Sequence, residues 1–212
     1  MAIIALVNQK GGCAKSTTSV HLVHWLRSQG KDVALVDADA QRSSSIWLES
    51  MESDATVHVL QSPDDLLEQL PEIVGQHDYT IVDGPAGLSE ATRAILFRAD
   101  LALVPCQPTG VDLRSAADAV RLIRQAQSVR SGPPVAGVFL ARAVKGTKLK
   151  EEALELLEQT QVPILHTVIH QKQVVADCFG QQATVWDLSG RAATESAREF
   201  ETLFKEVMEM LP

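Results

Sequence analysis

The densest chemistry lies in Gln9-Lys10-Gly11-Gly12-Cys13-Ala14-Lys15-Ser16-Thr17-Thr18. Adjacent glycines let a backbone turn its N–H groups toward an anion. Lysine followed by a hydroxyl residue supplies a cation for phosphate oxygens and an oxygen for Mg²⁺. This stretch reads as a loop cradling a nucleotide's phosphates. Gly11, Gly12, Cys13, Ala14, Lys15, Ser16 and Thr17 are then the nucleotide contacts, with Ser16 also on the metal. Two further acidic stretches follow, Asp37-Ala38-Asp39 and Asp83-Gly84-Pro85. In a doubly wound sheet, carboxylates at the C-terminal ends of strands stand where ligands bind. Gly84 and Gly87 are expected to leave the second acidic loop mobile.

These groups need elements to place them. Ile3–Val7, Val33–Val36, Tyr79–Val82 and Leu101–Pro105 are short apolar runs, the pattern of strands buried on both faces. Pro134–Arg142 and Pro163–Ile169 read as two more core strands, and Thr56–Leu60 as an edge strand. Helical spacing runs from Lys15 to about Ser28, with Gly30 just past its end. Ser43–Ser50 reads as a short helix capped by a serine. Ser62-Pro63-Asp64-Asp65 opens another, with acids beside its positive end. Ala116–Ser128 and Ser189–Leu211 complete the set. The alternation predicts an α/β fold: a doubly wound, mostly parallel sheet with helices on both faces, one domain over residues 1–212.

The chain has 212 residues, 45% of them apolar and 22% charged, the balance of a globular protein. Its net charge of −8 argues against a surface that is basic throughout. A local basic face stays open. Cys13, Cys106 and Cys178 form no C-x-x-C pair, which fits a reducing cytoplasm. No apolar run approaches the length of a membrane span. Met1 leads directly into a strand, so no signal peptide is expected. His21 and His24 have no ligand cluster around them and are expected to pack or to lie at the surface.

The loop departs from G-x-x-x-x-G-K-[ST]. Gln9 and Ala14 replace its glycines, and Lys10 precedes the Gly pair. This resembles the deviant Walker A signature, K-G-G-x-x-K-[ST], of the ParA/MinD ATPases. The resemblance spans the chain and implies a P-loop ATPase using ATP and Mg²⁺. It implies that Lys10 crosses the interface of an ATP-bound homodimer to act on the partner's nucleotide. Asp39 matches the aspartate that orients the attacking water, Asp37 lies beside the metal, and Asp83 resembles the Walker B carboxylate on Mg²⁺. Lys10, Lys15 and Asp39 are thus the catalytic candidates. Ala14 is expected to shift the loop only slightly, because Ala tolerates a helical conformation. Ala40 and Ala86 replace customary prolines. Phe139-Leu140-Ala141-Arg142, Lys148-Leu149 and His170–Val174 are similar to the small plasmid-partition subgroup, which places Arg142 near the adenine.

Members of this type bind DNA without sequence choice and release it when a cargo-bound activator stimulates hydrolysis. The expected DNA residues are Lys145, Lys148, Lys150, Lys172, Arg191 and Arg198, on a cytoplasmic, nucleoid-associated protein. The cargo would be a carboxysome or a plasmid. Two alternatives remain: a MinD-like membrane-recruited regulator, and a metabolic synthetase on the same scaffold. The Glu-rich final helix argues against a basic membrane anchor. Lys10 argues against the synthetase.

Overall fold

A computed structural model describes residues 1–146, 153 and 162–211. Six strands form one sheet in the order β3-β2-β4-β1-β5-β6. They are β1 (Ala2–Asn8), β2 (Val33–Asp37), β3 (Thr56–Val59), β4 (Tyr79–Ala86), β5 (Leu101–Cys106) and β6 (Val135–Leu140). Every pairing is parallel. β3 lies at an edge, as its exposed residues require.

Strand alternation divides the core into two layers. Ile3, Ala5 and Val7 point to one, with Leu66, Ile95 and Val120; Ile4 and Leu6 point to the other, with Leu22, Trp47 and Phe200. The first layer lies under α3 (Pro63–Val74), α4 (Glu90–Arg98) and α5 (Gly110–Arg130). The second lies under α1 (Lys15–Ser28), α2 (Ser43–Ser50) and the last helix. A short α6 (Gln173–Asp177) precedes that helix, α7 (Arg191–Glu209). The expected doubly wound architecture is observed, with all strands parallel.

Three local expectations change. Ser43 does not cap α2: Arg42 occupies the cap position with φ 54° and no side-chain cap bond. Gly84 is a packing requirement rather than a source of mobility. A Cβ there would lie 2.6 Å from the Leu6 carbonyl oxygen, so β4 approaches β1 too closely for any side chain. Finally, 163–169 is not a continuous strand. Isolated bridges join Ile164 to Val138 of β6 and His170 to Ala143 beyond it. Between them Glu206 on α7 accepts from the His166 and Thr167 backbone N–H groups at 2.7 and 3.0 Å, and also from the Thr167 hydroxyl. Donors captured by a side chain cannot serve a ladder, so pairing breaks there. Glu199 similarly accepts from the His170 N–H at 3.0 Å. Two carboxylates of the acidic final helix therefore hold a neighbouring segment rather than facing water.

Candidate functional site

The phosphate loop joins β1 to α1 at the C-terminal edge of the sheet. Gly12 and Ala14 have φ 74° and 78°. Ala14 is therefore left-handed, not helical as expected, a conformation costing a residue with a Cβ about 1–2 kcal/mol. The turn aims the start of α1 at the loop. Lys15 folds back, donating from Nζ to the Lys10 carbonyl at 3.2 Å. Cys13 faces inward, fully buried, its thiol 3.2 Å from the same carbonyl. Burial pushes that thiol's pKa up. Its contribution is packing and its backbone, not a reactive sulfur.

Asp37 and Asp83 are opposite each other on β2 and β4, and both are fully buried. Asp37 accepts from the Ser45 N–H at 2.8 Å and the Asp39 N–H at 3.1 Å. Asp83 accepts from the Ser19 hydroxyl at 3.2 Å, but its Oδ2 is buried with no partner. Burial pushes the Asp83 carboxyl up to about 6, with the Ser16 hydroxyl opposing and Asp37 reinforcing the rise. An orphaned buried carboxylate oxygen beside a second carboxylate and a serine hydroxyl is an all-oxygen donor set. Such a set fits a hard divalent cation such as Mg²⁺. No separate cluster of three or more His, Cys, Asp or Glu occurs among the described residues.

Asp39 spans two loops. One oxygen accepts from the Gln41 N–H at 2.9 Å, the other from the Ala86 N–H at 3.0 Å. It thereby ties the loop after β2 to the end of β4. Arg142 donates to the Gly12 carbonyl at 2.8 Å, and Gln107 donates to the same oxygen at 2.9 Å. Arg142, the residue expected near the adenine, here holds the phosphate loop. A cavity of about 720 Å³ joins these groups. Gly11, Lys15, Ser16, Thr17 and Asp39 contribute polar groups to its lining, and Trp47, Val175 and Phe179 apolar ones. That volume and mixed lining suit a small-molecule ligand with a charged and an apolar part.

Lys10 leaves the loop in the opposite direction. Its ammonium lies 2.9 Å from Asp112 Oδ2 at the start of α5. Asn8 and Gln107, which no sequence motif marks, also hold the loop. Asn8 is buried, donates to the Pro105 carbonyl at 2.7 Å and accepts from the Lys10 N–H and the Ser115 hydroxyl. A polar residue closing an apolar strand was the available signal.

The expected DNA residues are partly gathered. Lys145, Lys172 and Arg191 converge on Glu195, at 3.8, 3.9 and 2.8 Å, and Lys172 also meets Glu199 at 2.9 Å. Arg198 is exposed on α7. Lys148 and Lys150 lie outside the described residues. His21 is core, stacked on Phe200 with centroids 4.4 Å apart.

Comparison with known proteins decides the assignment. The model of the CobQ/CobB/MinD/ParA nucleotide binding domain matches residues 4–185. The chain belongs to this family. It is a P-loop ATPase carrying the ParA/MinD form of the loop. It is 29% identical over 210 residues to the maintenance of carboxysome distribution protein A of Halothiobacillus neapolitanus, covering 97% of this chain and 95% of that protein. In fold it is similar to a Cyanothece McdA variant solved with ATP, at TM-score 0.82 and 17% identity, covering 100% of this chain and 98% of that one. Pyrococcus horikoshii MinD, solved with Mg-ADP, gives TM-score 0.77 at 21% identity, with 97% and 95% covered. These two likenesses concern the fold. No described helix is long and apolar enough to cross a membrane.

Proposed function

We propose that the chain is a ParA-type positioning ATPase, one domain throughout, that pairs on ATP and carries a cargo across the nucleoid. The observation carrying this is the opposed placement of two lysines on one loop. Lys15 lines the phosphate cavity and folds back onto the loop, while Lys10 lies outside the cavity lining, half-exposed and paired with Asp112 at the start of α5. Phosphate binding within one protomer uses Lys15 and leaves the second lysine outside the cavity. A dimer clasping nucleotide between its subunits uses it. The full-length similarity to a carboxysome distribution protein supports the positioning role and favours a carboxysome as cargo.

In this reading the loop N–H groups and Lys15 hold the phosphates, and Ser16, Asp37 and Asp83 hold Mg²⁺. Bound ATP–Mg²⁺ supplies the scissile phosphoanhydride and the metal charge that offsets negative charge on its oxygens. Asp39 exchanges its bond to Ala86 for one to the attacking water. Lys10 of one protomer neutralises charge on the other's γ-phosphate. Arg142 and the apolar wall bound the base. Lys145, Lys148, Lys150, Lys172, Arg191 and Arg198 contact DNA phosphates without reading bases. An activator on the cargo then accelerates hydrolysis and releases the dimer.

The test is ATP turnover with and without Mg²⁺, DNA and Lys15→Ala. Turnover should require the metal and fall by at least about 100-fold in the variant, the scale of losing a preorganised phosphate-stabilising charge. Turnover surviving either removal would contradict the site. A wild-type chain hydrolysing ATP only with an added small-molecule co-substrate would instead favour a synthetase.

A further inference from the structure

We propose that Asp112 is the resting place of Lys10, an autoinhibitory contact that must break before the lysine can reach a second copy's nucleotide. The proposal rests on the dimer reading above and adds a threshold to it. The 2.9 Å pair is asymmetric: the Lys10 side chain is 41% exposed and that of Asp112 is 1%. The lysine can leave; the carboxylate cannot follow it into water.

Asp112 is poorly provided without Lys10. Its Oδ1 is buried and has no hydrogen-bond partner. The Thr109 hydroxyl reaches Oδ2, but a neutral donor does not balance a buried charge. Among the described residues Lys10 is its only ion-pair partner. Withdrawing one member of a pair with a buried end leaves an uncompensated charge, which costs far more than an exposed pair gains.

The same helix also grips the loop backbone. Asn8 accepts from the Lys10 N–H at 3.1 Å and from the Ser115 hydroxyl at 3.0 Å, one turn after Asp112. Gln107, just before α5, donates to the Gly12 carbonyl at 2.9 Å. α5 therefore meets the loop directly at Asp112 and through Asn8 at Ser115, and the segment before α5 meets it at Gln107. Beside the pair, Val111 is 70% exposed, so the contact opens toward solvent and toward any partner docked there. A partner's γ-phosphate is the stronger anion, and it can draw Lys10 away only once both sites are filled. Asp112 is in this sense a positioning residue acting through Lys10.

The test has two arms. In the first, nucleotide-free wild type, Lys10→Ala, Asp112→Asn and the double variant are melted. Lys10→Ala should lose the most, and the double variant should recover toward wild type. Additive losses would overturn the contact. This arm uses no ATP, so it stands whatever becomes of the dimer reading. In the second, a non-hydrolysable ATP analogue and Mg²⁺ are added and sedimentation is followed across protein concentration. Asp112→Asn should pair at a concentration lower by roughly ten-fold or more, from the scale of a released buried pair. Asp112→Glu, which keeps the charge, should not. Asp112→Asn pairing no better than wild type would overturn the proposal. Should neither chain pair, the dimer reading and the proposal fall together, while the first arm still tells a real contact from an absent one.

Discussion

His21 and Asp83 show how two buried groups can hide each other's titration. Burial lowers His21 to about 4, and the Thr17 carbonyl only partly opposes this. Its Nδ1 donates to that carbonyl at 2.7 Å and its Nε2 accepts from the Val185 N–H at 3.3 Å, so the ring is neutral. A base depressed on folding takes up its proton more readily when unfolded. Stability is complete above 6.5 and falls as pH drops toward 4, by roughly 3 kcal/mol. Asp83 runs the other way. Raised to about 6, it is most stable with its proton on, so acidification from 6 toward 4 restores stability. Between pH 6 and 4 these two contributions oppose each other. Urea unfolding at pH 7 and pH 4 of wild type and His21→Gln separates the two: the variant should lose less stability on acidification, or gain some. An unchanged difference would contradict the neutral, buried assignment. The sequence left His21 between packing and surface; its buried stacking was not legible, because Phe200 lies far along the chain.

At the scale of elements, what the sequence could reveal followed periodicity. Apolar runs marked β1, β2, β4, β5 and β6, because strands buried on both faces read continuously. The Thr56–Val59 edge strand was legible from its mixed polarity. The signature loop exposed Lys15, Ser16 and the strand-end aspartates because their spacing is local. Long-range relations were not legible. Lys10 meets Asp112 across 102 positions, and Glu206 interrupts 163–169 from 39 positions away in its bond to Thr167. Gly84 belongs to this class: its need arises from the Leu6 carbonyl on a neighbouring strand. Gly84→Ala should destabilise the chain by about 1–3 kcal/mol, the range for forcing atoms into a packed interior. Thermal unfolding with and without Mg-ATP checks it. A loop merely needing freedom would show lost turnover with unchanged stability.

At the scale of the molecule, charge sets the problem. With −8 overall, DNA binding requires a local face and a doubled number of phosphate contacts. Among the described residues, the cluster that brings several expected residues together also contains Glu195, which meets Lys145, Lys172 and Arg191. If these cations meet phosphate, Glu195→Gln should tighten ATP-dependent binding to unrelated DNA sequences at fixed salt. The linear loss of log affinity with log salt should persist. Binding insensitive to Glu195→Gln would move the DNA face elsewhere. Lipid vesicles should recover no protein, whereas recovery would favour a membrane-recruited regulator.

One measurement goes directly to the clasped nucleotide: light-scattering mass with Mg²⁺ and a non-hydrolysable ATP analogue, for wild type and Lys10→Ala. Wild type should shift from one protomer to two on analogue and not on ADP, and Lys10→Ala should stay at one. A wild-type chain that remains single, or a variant that pairs as readily as wild type, would contradict the account.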